Sequence, residues 1–586
     1  MQKKQVLQGI DNFKEIIESN GYYVDKTLLI KDLIDIPDKI ILITRPRRFG
    51  KTLNMSMLKY FFEIPQCRRY DMEEEDMSYL FEDLAIVKVG ERYKEELGKY
   101  PAVYLTLKNA KQDSWEGTLY NIKETIALEY ERHRYLLESD ILTNIERKKY
   151  NEIINREASV YEYTDVIMNL THYLKRYFKK SCIVLIDEYD TPIQAGYING
   201  YFKEIIEFQK SMLVKGFKDN KALKQGVVTG IMKVAQESIF SDFNNPTVCT
   251  VLMHEHKDKF GFTQAEVEQM AEYFGLTSHL EGIKKWYNGY IFGTDTVIYN
   301  PWSVIKYMYN IHNGFKPYWI NTSDNRIIKE VMNLDKVEGR EVVTKLLNGE
   351  EVRTEIEENV IYQSIKTNPN AAWSFLVHAG YLKAYDRFAP HLKFEYKLEI
   401  PNLEVRTIYE EMIRTYLKEE TSIAEDVQMI VESLLENDIE KFERLLKELY
   451  LGQVSYNDVG DKKQSLENLK ETDQNKKYES FHHGFILGLF TLISGDFRIE
   501  SNKEYGLGNP DIVFIPNDKN KTAYIFEFKW ESTKGSKSLD ILANDAVKQI
   551  RDKKYKEGVQ AVHGHEDVVC IGIAFKGKEI KMIKTC

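Results

Sequence analysis

The chain has 586 residues, 43% of them hydrophobic and 12% aromatic, which excludes disorder as a global description and leaves room for about three domains. A formal net charge of −10, with a pI near 5.8, argues against a polybasic wrap around nucleic acid but allows a local basic groove. Five scattered cysteines, with no C-x-x-C pair and no histidine at metal spacing, predict reduced thiols and exclude a zinc or disulfide framework.

No apolar segment follows Met1, and the longest apolar run, Phe485 to Ile493, is too short to span a bilayer. A soluble, cytoplasmic protein without a membrane partner is the expectation. The first strand expected is Ile40-Ile-Leu-Ile43. It runs into Arg45-Pro-Arg-Arg-Phe-Gly-Lys-Thr52, after which residues 53–62 have helical spacing. A second strand, Ala102 to Leu107, precedes a charged helical stretch over 115–180. A third, Ile183 to Ile186, ends in Asp187-Glu-Tyr-Asp190, and a fourth, Gly226 to Thr229, follows one more helix. Strands separated by helices predict an α/β fold with a largely parallel sheet covered on both faces.

Residues 263–455 read as mostly helical, interrupted by the aromatic blocks Trp286-Tyr-Asn-Gly-Tyr290 and Tyr299-Asn-Pro-Trp302. Aromatic residues beside Gly, Asn and Pro usually form a packed turn or interface, and stacking on bases is the less common use. Between Gly452 and Tyr478 the composition turns polar. Beyond it a last α/β unit reads as helix (479–494), strands (497–503, 511–515, 522–530), helix (539–555) and strand (568–575). The domain boundaries expected are 1–255, 256–455 and 456–586.

Gly50, Lys51 and Thr52 follow a strand and open a helix, as a P-loop requires: loop N–H groups cradle phosphates, lysine reaches the terminal phosphates and the hydroxyl serves Mg²⁺. Arg45 stands where the general pattern has its first glycine. Asp187, at the end of a buried strand, is placed for the Mg²⁺ shell, and Glu188 to orient or deprotonate the attacking water. Thr229-Gly230 is either a γ-phosphate sensor or a plain turn. Arg47 and Arg48 bind phosphate, act on a neighbouring subunit of a homo-oligomer, or pair with surface acids; the sequence leaves all three open.

In the last unit, Glu527 and Lys529 alternate with Phe526, Phe528 and Trp530, so the first two share a face. If strands 511–515 and 522–530 pair as a hairpin, Asp511 and Glu527 converge with Lys529 beside them. Carboxylates of this kind hold Mg²⁺, and the lysine positions water or offsets developing charge. An E-x-K strand alone is weak, since alternating charges often line a solvated face.

The blocks Gly21-Tyr-Tyr-Val-Asp-Lys26, Arg45 to Leu53, Leu185 to Asp190 and Trp286 to Tyr290 resemble the bacterial AAA-ATPase-like family over residues 5–330. The resemblance implies that arginine at position 45 is usual, and that Arg48, Phe49, Gly50, Lys51, Thr52 and Asp187 hold ATP and Mg²⁺. It also implies a C-terminal domain of the PD-(D/E)XK nuclease class, of restriction-endonuclease-like fold. There Glu479 joins Asp511 and Glu527 as a metal-side carboxylate, and Gln549 and Tyr555 resemble the Q…Y element beside the lysine. The family's Gly-x-Gly-Arg is here Gly506-Leu-Gly-Asn-Pro510, without the arginine. His482 and His483 could face substrate, although helix-surface histidines are usually bystanders.

The expectation is an ATP-hydrolysing chain that controls a Mg²⁺-dependent nuclease acting on DNA or RNA, in defence or mobile-element biology. A nucleotide-dependent switch or scaffold that binds nucleic acid without cleaving it is the alternative. The last unit has nearly equal numbers of basic and acidic residues, which permits nucleic acid without pointing to it.

Overall fold

The computed structural model describes residues 3–65, 76–234, 246–293, 295–319, 342–343, 345–347, 349, 351–358, 361–365, 367–389, 394–419, 429–434, 436–453, 486, 497–501, 504–516, 518–531, 535–577 and 579–585. The chain forms two compact units, Met1–Val331 with Arg353–Val405 and Met332–Val352 with Arg406–Cys586. No described helix is long and apolar enough to cross a membrane.

The first unit is built on five parallel strands, β1 (Ile40–Thr44), β2 (Ala102–Thr106), β3 (Cys182–Asp187), β4 (Leu223–Gly230) and β5 (Thr247–Cys249), in the order β2-β3-β4-β1-β5. β1 and β3 are buried at every position, as strands covered on both faces must be. Phe13, Leu29, Met55, Leu58 and Phe61 from three helices cover one face, against Ile41, Ile43, Ile183 and Leu185. Helices Trp115–Arg132, Val166–Phe178 and Phe202–Phe217 occupy the other side, the last two so close that a Cβ at Gly216 would lie 2.9 Å from Ile167. Because β4 lies between β1 and β3, the loops leaving all three strands open side by side at their C-terminal ends. That crevice is where open α/β sheets bind ligands.

Two small sheets come next among the helices. β6 (Phe262–Thr263), β7 (Tyr290–Phe292) and β8 (Thr296–Tyr299) pair antiparallel in the order β6-β8-β7. β9 (Val352–Glu355), β10 (Lys383–Phe388) and β11 (Glu395–Glu399) form the second, in the order β10-β11-β9. Strands this short carry too few alternations for a period of two to show in the sequence.

The second unit holds β12 (Phe497–Ser501), β13 (Ile512–Pro516), β14 (Ala523–Glu531), β15 (Val568–Lys576) and β16 (Glu579–Thr585), paired in that order. All pairs are antiparallel except β14–β15, whose parallel pairing needs the crossover that helices Leu539–Asp552 and Tyr555–His563 provide. One face packs Val513, Ile515 and Ile525 on Ile550, Tyr555 and Val559. The other packs Ile512, Phe514, Phe526 and Phe528 with Phe442, Leu446 and Tyr450 of helix Ile439–Gln453.

Candidate active sites

The loop after β1 is held in place through each of its side chains. Gly50 has φ +84° and caps helix Lys51–Phe62, a left-handed position that favours glycine. Arg45 has no exposed surface. Its guanidinium donates to the carbonyls of Thr44 and Cys249 at 2.8 Å, Glu255 at 3.0 Å and His256 at 3.1 Å, and lies over the rings of Phe260 and Phe292. Burial pushes it down to about 10, which still leaves it charged near neutrality. Arg45 is therefore a strut between β1, β5 and the 255–256 turn.

Pro46 faces Gly380, where a Cβ would come within 2.9 Å of its ring. Arg47 donates to Gln194 Oε1 at 2.8 Å, Arg48 stacks on Trp302 at 4.2 Å, and Phe49 packs on Tyr290 and Phe292. The aromatic blocks thus back the loop as a packed interface.

Lys51 is buried and donates to the carbonyls of Arg45 (3.0 Å) and Pro46 (2.9 Å). Burial pulls its ammonium below the usual lysine range, against the pull of Glu188, Asp187 and Asp190. Asp187 accepts from Thr52 Oγ1 and Thr229 Oγ1, each at 2.7 Å, so the start of helix Lys51–Phe62 and the end of β4 meet on the carboxylate that ends β3. Burial raises Asp187, helped by Glu188. Glu188 has φ +53° and accepts from Thr191 Oγ1 at 3.1 Å. Asp190 accepts from the N–H groups of Ile231 and Met232, and Tyr189 donates to Met232 O, so the motif after β3 clamps the segment leaving β4.

A cleft of about 420 Å³ opens at this point. Arg47, Arg48, Lys51, Thr52, Asn54, Lys108 and Glu188 form its polar side, and Leu7, Ile10, Tyr22, Val24, Phe262 and Ile305 its apolar side. The volume and the division suit a nucleotide, with phosphates on the loop and base on the apolar wall. The hydroxyl of Thr52 beside the carboxylate of Asp187 is an oxygen pair of the kind that Mg²⁺ takes.

In the second unit Ile512 pairs with Phe526, which sets Asp511 opposite Glu527 across β13 and β14. Asp511 Oδ2 accepts from Phe528 N at 2.6 Å. Glu527 Oε1 accepts from Lys529 Nζ at 3.3 Å and from Gln549 Nε2. Phe526 and Phe528 lie in the core on the opposite face. Burial holds both carboxyls above the usual carboxylate range, and the proximity of Asp511 pushes Glu527 further. Glu527 Oε2 is buried with no hydrogen-bond partner among the described residues. Two facing buried carboxylates, one with an oxygen left without a partner, fit a divalent cation, although among the described residues no three metal-ligating side chains gather. Tyr555 donates to Asn509 O at 3.1 Å, steadying the turn before Asp511. Glu479, His482 and His483 lie outside the described residues.

Two contacts escape a reading by motif. Trp302 meets Arg48 from far along the chain. Its neighbour Ser303 donates to Glu404, a fully buried carboxylate that also accepts from the N–H groups of Tyr318 and Trp319. Burial raises Glu404 to about 7. The Asn300-Pro-Trp302 helix start is the signal for the first; nothing in the sequence marks the second.

Comparison with known proteins respects this division. Residues 8–240 match the family described as Predicted AAA-ATPase, and residues 477–585 the PD-(D/E)XK nuclease superfamily. An uncharacterized protein in the vnfD 5′ region of Azotobacter chroococcum mcd 1 is 23% identical over 581 residues, covering 98% of this chain and 97% of that one. No solved structure matches. The chain joins an AAA-ATPase-like domain to a C-terminal domain of the PD-(D/E)XK nuclease superfamily.

Proposed function

We propose that the chain binds and hydrolyses ATP in its first unit and thereby controls Mg²⁺-dependent cleavage of DNA or RNA by its second, in the cytoplasm. The observation that carries the nuclease half is Asp511 set opposite Glu527 with Lys529 on the same face. When bound there, a divalent ion polarises the phosphodiester and lowers the pKa of a water. Asp511 and Glu527 would hold it, Lys529 would keep a cation at the reacting phosphate, and Gln549 fixes the Glu527 rotamer.

In the first unit Thr52 and Asp187 would hold Mg²⁺, and residues 48–52 the phosphates. Glu188 stands at the cleft to take a proton from water. Control is supported by a chain of contacts. Within the first unit, Arg48 of the P-loop lies on Trp302, and the neighbouring Ser303 bonds Glu404 at the start of helix Leu403–Glu419. A role in defence or on mobile elements suits this pairing by analogy only.

The test is incubation of the purified protein with single- and double-stranded DNA and RNA, with and without ATP and Mg²⁺. Cleavage that needs Mg²⁺, changes with ATP and is lost in Lys529→Ala is expected. Cleavage that persists in Lys529→Ala would remove the site. Nucleotide-dependent binding without any cleavage would make the chain a switch.

A further inference from the structure

Beside the carboxylate pair, the turn Gly506–Gly508 is pressed onto the backbone at the end of helix Leu539–Asp552. Leu507 N donates to Lys553 O at 2.7 Å. A Cβ at Gly506 would lie 2.4 Å from Lys553 O and 2.3 Å from Lys554 O, and one at Gly558 would lie 2.4 Å from Gly506 N. Only glycines allow this approach. The contact fixes Lys553 as well. A Cβ at Gly508 would sit 3.5 Å from Lys553 Cδ, so the lysine stem runs along the turn that ends in Asp511.

Lys553 also lies one helical turn beyond Gln549, on the same face, and Gln549 touches Glu527. The next residue, Lys554, is left-handed with φ +53°, a strain that a lysine bears where glycine would be relaxed. Lys529 is committed to Glu527, whereas Lys553 is exposed and has no ion-pair partner among the described residues.

We propose that Lys553 is a phosphate-binding residue of the nuclease site, taking a non-bridging oxygen of the nucleic-acid backbone next to the phosphodiester held at Asp511, Glu527 and Lys529. The proposal rests on the nuclease reading for the identity of its ligand. The two carboxylates repel a polyanion, and a cation at the rim offsets that repulsion before any bond is broken. Lys553 binds and aligns the strand, and takes no proton.

Binding of fluorescein-labelled DNA and RNA oligonucleotides to the full-length chain is followed by anisotropy across a salt series in EDTA, and cleavage is followed separately in Mg²⁺. Lys553→Ala is expected to weaken binding about 5–10-fold and to lower the slope of log K against log salt by about 0.9, the signature of one lost phosphate contact. It raises KM with kcat unchanged, and Lys553→Arg restores both. Lys519→Ala, in the turn at the other end of β13 and β14, leaves binding at the wild-type value.

Equal affinity and salt slope in Lys553→Ala and wild type would overturn the proposal while leaving the nuclease reading intact. Weakened binding in Lys553→Ala together with a wild type that never cleaves would sustain the phosphate contact and sink the nuclease reading. A wild-type chain that binds no oligonucleotide would overturn both.

Discussion

Glu188 is held at φ +53°, a conformation costing roughly 1–2 kcal/mol for a residue with a Cβ, and strain of this kind persists where surroundings over-determine it. Asp187 on one side is fixed by Thr52 and Thr229, and Tyr189 and Asp190 on the other are fixed to the segment after β4. Glu188→Gln keeps this geometry and removes the proposed base. Its ATP turnover should fall by about 10²–10⁴ while nucleotide affinity is retained, and equal turnover would take Glu188 out of the reaction. At the other site the raised carboxyls make a pH-dependent statement. An acid whose folded pKa lies above its unfolded value near ~4 destabilises the fold as pH rises from that value through the raised one. Metal-free stability of the second unit should therefore decline with pH across this window, and Mg²⁺ should offset the decline. In Glu527→Gln the Tm in EDTA should exceed that of wild type at pH 8, by roughly 2–4 °C per kcal/mol relieved, with the gap closing toward pH 4. A lower Tm at pH 8 would mean that Lys529 over-compensates the charge.

At the scale of elements, the P-loop is a node between the parallel sheet and the segments around residues 250–380. Arg45 donates to four carbonyls at once, so Arg45→Gly, which restores the general loop pattern, leaves buried acceptors unpaired. Loss of about 3–5 kcal/mol is expected, read as a lowered denaturation midpoint, rather than a better nucleotide site. Glu404→Ala cuts the tie between helix Pro301–Tyr309 and helix Leu403–Glu419. It should cost roughly 2–3 kcal/mol and uncouple ATP from cleavage; cleavage that remains fully ATP-dependent would show that control runs elsewhere.

These elements were unequally legible in the sequence. β1 and β3 are unbroken apolar runs, and the Asp511–Glu527 opposition follows from a hairpin with a side-chain period of two. β5 is three residues long, and β16 mixes Glu579, Lys581 and Lys584 with apolar residues so that it resembles a solvated tail. Their strand character comes from neighbours that pair with them. Why arginine replaces glycine at position 45 was invisible for the same reason: its acceptors lie at 249, 255 and 256, and they are backbone atoms, which no residue pattern records.

At the scale of the molecule, the two units are interleaved along the chain, because Met332–Val352 belongs with Arg406–Cys586 although Arg353–Val405 belongs with the N-terminal part. Within this inserted piece Val343, Leu346 and Leu347 are buried, and Leu347 O accepts from Arg406 at 2.7 Å. During synthesis this piece emerges before Arg406–Cys586, the segment it groups with, and must wait while Arg353–Val405 completes the first unit. No single cut separates the units cleanly. A chain ended after Val405 should expose this piece, bind a hydrophobic dye and self-associate, and deleting residues 332–352 as well should relieve this. A monodisperse, dye-negative chain ending at Val405 would mean that the insertion has a home in the first unit. Were the insertion to require the second unit, the nuclease-like half could never be shed by simple truncation to leave a sound first unit, which ties the inheritance of the two halves together.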